Sequence, residues 1–249
     1  MLIMSSMGST RVQLLVTCLA DAVYPAVGEA VVAVLERLGV TVEFPPEQTC
    51  CGQPAYNAGF RREARQMALH CLEVFERSPA PIVVPSGSCA AMLRQGYAEL
   101  FAGEFANRAR AQRLAARTYE FAEFLVEQLG VADVGARWHG SVTYHASCHL
   151  TRALGIRQPP LKLLSSVREL EFTPLPEAEE CCGFGGIFAV KHPDISTAIL
   201  ERKLANIYAT RARYVTGCDL GCLMNIQGAL SREGSAVRCV HLAEILAAR

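Results

Sequence analysis

The sequence predicts an α/β protein of two pseudo-symmetric Rossmann-like lobes with parallel sheets, one Cys-Cys-Gly motif in each. Three observations lead there: an internal repeat of cysteine stations, short apolar runs alternating with helical periods, and a composition able to bury a large core. Of the 249 residues 51% are apolar, so a core can form without disulfide staples.

The repeat carries most of the weight. The first half reads Arg11-Val-Gln-Leu-Leu-Val-Thr-Cys18, then Cys50-Cys51-Gly52, then Pro85-Ser-Gly-Ser-Cys89. The second reads Ser141-Val-Thr-Tyr-His-Ala-Ser-Cys148, then Cys181-Cys182-Gly183, then Cys218-Asp-Leu-Gly-Cys222. Cys18 to Cys50 is 32 positions and Cys148 to Cys181 is 33; Cys51 to Cys89 is 38 and Cys182 to Cys222 is 40. Each half closes on a related helical stretch, Phe121-Ala-Glu-Phe-Leu125 against Leu242-Ala-Glu-Ile-Leu246. The halves are expected to divide as 11–135 and 136–249.

The elements follow in order. Residues 12–16 and 142–146 are short apolar runs suited to buried strands. Val31, Val34, Leu35 and Leu38 share one helical face that ends at Gly39. Residues 40–44 form a second strand, stopped by Pro45-Pro46 before the Cys-Cys turn. Residues 58–77 read as helix and 82–84 as a third strand, with a helix opening at Cys89. The second half repeats this with a strand at 169–172, a helix at 194–209, a strand at 213–216 and a helix from Cys222. Strands alternating with helices imply parallel pairing through right-handed crossovers. The cysteines then follow the carboxyl ends of three successive strands, the rim where open α/β sheets bind ligands. Residues 100–135 are expected to be a helical connection whose arginines, Arg108 to Arg117, face solvent.

Charge and hydropathy exclude several classes. The 24 basic and 24 acidic residues balance, which argues against a nucleic-acid partner. No apolar run reaches the roughly 18 residues of a membrane helix, and residues 1–10 lack the pattern of a signal peptide. The expectation is a soluble, cytoplasmic protein with no membrane span. Eleven cysteines in that setting point to metal binding or redox chemistry rather than disulfides.

Adjacent cysteines make poor disulfide partners for each other, so each Cys-Cys-Gly turn aims two thiolates at one centre. Thiolates without a matching set of histidines favour iron–sulfur, zinc or copper(I). Cys71, inside a helix, and Cys239 read instead as small buried side chains. His145 and His149 flank Cys148, where either could ligate metal, hydrogen-bond a thiolate or deliver a proton; they are the candidate catalytic groups. His241 opens the last helix and reads as a capping or packing residue. Gly183-Phe-Gly-Gly186 lacks a third glycine at position 188 and a preceding strand, so it is not a dinucleotide fingerprint.

Cys50-Cys51-Gly52, Cys181-Cys182-Gly183-Phe-Gly-Gly186, Ser147-Cys148-His149 and Gly221-Cys222-Leu-Met-Asn225 together resemble the cysteine-rich CCG-domain family of iron–sulfur oxidoreductases. That family includes the B subunit of heterodisulfide reductase and the iron–sulfur subunit of glycolate oxidase. The resemblance runs from Arg11 to the last helix. It implies an iron–sulfur centre of 4Fe-4S type, one or two per chain, and a role in oxidising L-lactate, a small 2-hydroxy acid, within a multi-subunit complex. The implied partners are a ferredoxin-type iron–sulfur subunit and a third subunit. The implied ligands are Cys148, Cys181, Cys182 and Cys222, with Cys218 beside them, and Cys18, Cys50, Cys51 and Cys89. A full half in the heterodisulfide reductase type closes on Cys-x-x-Cys; here Ser86 and Asp219 occupy the place of its first cysteine. Alternative readings are a zinc module, a metal-free thiol–disulfide protein, or a subunit of a glycolate or heterodisulfide system. The chain has no nucleotide fingerprint and no Cys-x-x-Cys-x-x-Cys run, so turnover is expected to require partners.

Overall fold

The computed structural model describes residues 10–249, so the expected lack of a leader at the amino terminus falls almost wholly outside the described residues. Among the described residues eight strands form two four-stranded sheets in which every pairing is parallel. The first has the order β2-β1-β3-β4, with β1 Arg11–Leu14, β2 Thr41–Glu43, β3 Ile82–Val84 and β4 Thr118–Glu120. The second repeats it as β6-β5-β7-β8, with β5 Arg137–Tyr144, β6 Arg168–Phe172, β7 Tyr214–Gly217 and β8 Arg238–His241.

Local sequence accounts for the main elements. Helix Pro25–Arg37 starts on a proline, whose missing N–H costs nothing in the first turn. It buries Val27, Val31, Val34 and Leu35 on one face. Helix Arg61–Phe75 does the same with Ala64, Ala68, Cys71, Leu72 and Phe75, and Pro193–Thr210 with Leu200, Lys203, Leu204 and Ile207.

The core is shared between the lobes. Val12, Leu14, Val31 and Leu35 of the first belong to one buried cluster with Val142, Tyr144, Leu242 and Leu246 of the second. The closing helix of each lobe packs on the other: Leu242–Ala247 against Pro25–Arg37, and Phe121–Gln128 against Gln158–Ser165. Arg37 reinforces this exchange by donating to the carbonyls of Val134, Leu246 and Ala247 at 2.6–3.1 Å. Burying each closing helix against the opposite half ties the two lobes into one folding unit.

Two expectations need correction. The 100–135 segment is not helical throughout: β4 lies inside it, and β8 has the corresponding place in the second half. Nor are its arginines all solvated. Arg110 pairs with Glu76 at 2.8 Å, and Arg117 donates to the carbonyls of Phe75 and Ala80. Among the described residues no helix is long and apolar enough to cross a membrane.

Candidate functional site

Each lobe gathers four thiols at the carboxyl rim of its sheet. In the first, Cys18 follows β1, the Cys50-Cys51 pair follows β2, and Cys89 follows β3. Cys18 Sγ lies 3.6 Å from Cys50 Sγ, and Cys51 Sγ lies 3.3 Å from Cys89 Sγ. The Cys50 and Cys51 thiols also bond each other, so the four sulfurs form a chain. The second lobe repeats the chain as Cys148, Cys181, Cys182 and Cys222. All eight are free thiols. In both lobes the inner pair is buried, Cys51 with Cys89 and Cys182 with Cys222, whereas the Cys18, Cys50, Cys148 and Cys181 end reaches the surface.

The turns that make this possible are alike. Gly52 and Gly183 adopt φ of 83° and 85°, a left-handed conformation that side chains resist. A Cβ on Gly52 would meet Met67 Cβ at 3.2 Å and the Ala64 carbonyl at 3.3 Å; on Gly183 it would meet the Ser196 carbonyl at 2.4 Å. Glycine lets each turn sit on the backbone of the helix that follows. The carbonyl of the second turn cysteine is held from the helical segment behind it: Tyr97 donates to Cys51 O and Asn225 to Cys182 O, both at 2.9 Å. The residue before the first cysteine caps the next turn in both lobes, Thr17 Oγ1 accepting from Ala20 N and Ser147 Oγ from Leu150 N.

One thiol in each set is set apart electrostatically. Hydrogen bonds from Cys18 and Cys51, with the Gly52 N–H, lower the Cys50 thiol to about 3. Hydrogen bonds from Cys148 and Cys182, with the Gly183 N–H 3.3 Å from the sulfur, lower Cys181 to about 2. Their partners move the other way: Cys18, Cys51, Cys148 and Cys182 are all raised, with the shared hydrogen bonds the largest cause and burial adding to it. In each set the first cysteine of the turn is therefore the thiol whose anion its neighbours favour most.

The remaining sequence candidates fall into place around these sets. Cys218 is buried against Tyr144, whose hydroxyl is 3.8 Å from its sulfur, and it faces Glu120 of the other lobe. It takes no part in the chain of four. Cys71 lies under the first set, and burial raises its thiol to about 12; Cys239, on β8, is raised likewise. Ser86 caps helix Gly87–Ala91 by accepting from Cys89 N, whereas Asp219 reaches across the lobes to accept from Ser88 N at 2.9 Å. Each non-cysteine at these positions has a structural task. His241 caps the last helix through Nδ1, as expected.

His149 joins the lobes at the rim. Its Nε2 lies 3.4 Å from the Gln53 amide nitrogen and its Nδ1 3.8 Å from Cys148 Sγ. With Gln53 donating, the ring proton sits on Nδ1 and faces the Cys148 sulfur. Gln53, Ser88, Gln95 and His149 line a cleft of about 140 Å³ between the lobes. His145 is fully buried, and burial with the nearby Lys203 cation lowers it to about 3, so the imidazole is neutral. One of its nitrogens lies with the Cys182 and Cys222 sulfurs in a group whose ligand atoms are all within 4.8 Å of one another.

Lys203 was not singled out from the sequence. Its ammonium is buried under the second set, donating to the carbonyls of Glu177 and Ala178 at 2.8 and 3.3 Å. The signal that could have found it is its register in the repeat: it stands seven residues after Ser196, as Cys71 stands seven after Ala64.

Comparison with known proteins agrees with this duplicated geometry. The cysteine-rich domain, CCG, matches twice, at residues 12–94 and 142–227. Lactate utilization protein A of Geobacillus kaustophilus is 50% identical over 239 residues, 96% of this chain and 99% of that protein. Lactate utilization protein A of Anoxybacillus flavithermus is 50% identical over 236 residues, 95% of this chain and 98% of that protein. A hypothetical protein from Helicobacter pylori, of known crystal structure, shares the fold with a TM-score of 0.62 at 10% identity. That match covers 96% of this chain, which spans only 48% of the Helicobacter chain. The two cysteine stretches that the repeat revealed are thus two copies of one recognised unit, and the chain belongs to the cysteine-rich CCG domain family.

Proposed function

We propose that this chain is the iron–sulfur electron-transfer subunit of a multi-subunit complex that oxidises L-lactate to pyruvate. The observation that carries the proposal is the pair of four-thiol sets, duplicated at equivalent rim positions and unpaired. Four thiols per lobe suit a 4Fe-4S centre. Cys18, Cys50, Cys51 and Cys89 would hold one, and Cys148, Cys181, Cys182 and Cys222 the other, the lobes dividing near residue 135. Such a centre supplies a one-electron couple. The chain's own part is to present the sulfurs, stabilise negative charge on Cys50 and Cys181 with the Gly52 and Gly183 N–H groups, and bury the inner pair from water. The surface end of each set leaves a route for electrons to a partner. Unpaired thiols throughout suit the reducing cytoplasm.

The substrate assignment comes from the relatives, whose name is lactate utilization protein A. In this reading the cleft lined by Gln53 and His149 would take a small polar molecule between the lobes. Partners with ferredoxin-type clusters and a third subunit complete the electron path in this reading.

The test is anaerobic purification, followed by assay of iron, acid-labile sulfide and zinc, and of lactate:dye oxidoreductase activity with and without partner subunits. Iron with sulfide, and activity only in the assembled complex, is the expected result. Zinc without iron would make the chain a structural module. Robust lactate oxidation by the isolated chain would make it a self-contained enzyme.

A further inference from the structure

We infer that the His145 imidazole is a fifth donor to the second-lobe centre, so that the two centres differ in ligand chemistry; the inference rests on the iron–sulfur reading above. His145 sits at the end of β5, its N–H bonding the Thr216 carbonyl at 2.8 Å to extend the β5–β7 pairing. The equivalent residue of the first lobe is Leu15, whose N–H bonds the Val83 carbonyl at 3.0 Å at the end of β1. Both backbones aim the side chain under the rim. Leu15 is fully buried in one apolar cluster with Cys51 and Cys89. His145, at the same register, has a ring nitrogen grouped with the sulfurs of Cys182 and Cys222.

A leucine there is ordinary packing; an imidazole there needs a reason. Both ring nitrogens of His145 are buried, and neither has a hydrogen-bond partner. A buried polar group left unsatisfied is destabilising, and native proteins rarely tolerate one. The groups facing the ring through space are the Lys203 ammonium, committed to the Glu177 and Ala178 carbonyls, and the Cys181, Cys182 and Cys222 sulfurs. A ring nitrogen without a partner stands within 4.8 Å of the Cys182 and Cys222 sulfurs, and a metal centre held by those sulfurs would satisfy it. As a neutral fifth donor the imidazole adds no negative charge, whereas a thiolate at the same place would add one and lower the reduction potential.

The experiment is pulsed electron paramagnetic resonance on the full chain, reconstituted anaerobically with ferrous iron and sulfide and poised in its paramagnetic state. Histidine labelled with nitrogen-15 is used alongside unlabelled protein, so the side chain is read without altering it. A strong imidazole-nitrogen coupling that changes isotope pattern on labelling is expected. It should vanish in His145→Leu and His145→Cys and survive in His149→Gln. The His145→Cys variant, with a thiolate in its place, should keep its iron and shift the second centre to lower potential while the first stays put. Iron bound without a histidine coupling, or a coupling that persists in both His145 variants, overturns the inference alone. A chain that takes up no iron overturns it together with the reading beneath it.

Discussion

Where the first lobe sets Leu15 and Cys71 beneath its thiols, the second sets His145 and Lys203. The strands, the turn glycines and the capping hydroxyls are matched one for one. The side chains packed under the sulfurs are not. Duplication has preserved the parts that shape the backbone, because a displaced turn would scatter the ligands. The residues beneath the rim do not shape it and differ freely. A buried cation near Cys181, Cys182 and Cys222 favours their thiolate forms. Beneath the first set Leu15 and Cys71 supply no such cation. The lobes are therefore two versions of one site with different electrostatics, and the predictions below test that division from the largest expected effect downward.

The largest concerns the ligands themselves. The double variant Cys181→Ser/Cys182→Ser should lose the second-lobe iron and retain the first, while Cys50→Ser/Cys51→Ser should do the reverse. Each should take away about half the iron of the reconstituted chain, since four of eight rim thiols lie in each lobe. Cys71→Ser and Cys239→Ser should remove none. Iron analysis of the four proteins decides this. Full occupancy in either double variant would remove those turns from the ligand set.

The turn glycines should break the symmetry next. Both need a left-handed backbone, so alanine strains each by about 1 kcal/mol. The second adds a collision, because its Cβ would stand 2.4 Å from the Ser196 carbonyl, against 3.2 Å from Met67 Cβ and 3.3 Å from the Ala64 carbonyl in the first. Gly183→Ala should therefore destabilise by roughly 2–4 kcal/mol and Gly52→Ala by roughly 1–2. Denaturant unfolding of the iron-free proteins measures both. Equal losses would mean that helix Pro193–Thr210 shifts to relieve the 2.4 Å contact at little cost.

The repeat made much of this legible. Cysteine order and spacing placed both thiol sets at strand ends, and the matched closing stretches identified Phe121 and Leu242 as helix starts. The missed features share a physical cause: they depend on what packs against what, not on local pattern. The strands β4 and β8 span three and four residues and run directly into helices, too short for an alternation of apolar and polar positions to register. The shared core is invisible to a reading that takes each half as closed. Cys218 stands in sequence where a ligand could be, yet its side chain turns toward Tyr144 and the opposite lobe. Lys203 reads as one more helical lysine until the turn above it is placed.

The smallest expected effect concerns the two residues that start the closing helices. Glu120 Oε2 accepts from the Ala122 and Glu123 N–H groups, and His241 Nδ1 accepts from Ala243 N; each is completed by a reciprocal glutamate, Glu123 or Glu244. Both caps are buried, so both resist charge, and they do so on opposite sides of neutrality. Burial raises the Glu120 carboxyl from 4.5 to about 8, so the folded chain keeps a proton that the unfolded chain releases. The stability this contributes is complete below 4.5 and is lost as pH rises toward 8. Burial lowers His241 from 6.5 to about 4, so the folded chain refuses a proton that the unfolded chain accepts. That contribution is complete above 6.5 and is lost as pH falls toward 4. Glu120→Gln and His241→Asn keep an acceptor oxygen at each cap while removing the titration. Relative to the parent at the same pH, Glu120→Gln should gain about 1–3 kcal/mol between pH 5 and 8, and His241→Asn about 1–2 kcal/mol between pH 6.5 and 4.5. Comparison at each pH cancels the titrations the proteins share, the rim thiols included. Stability curves that run parallel to the parent's would show that these caps are open to water, and that the seam between the lobes is looser than the packing of Phe121 and Leu242 requires.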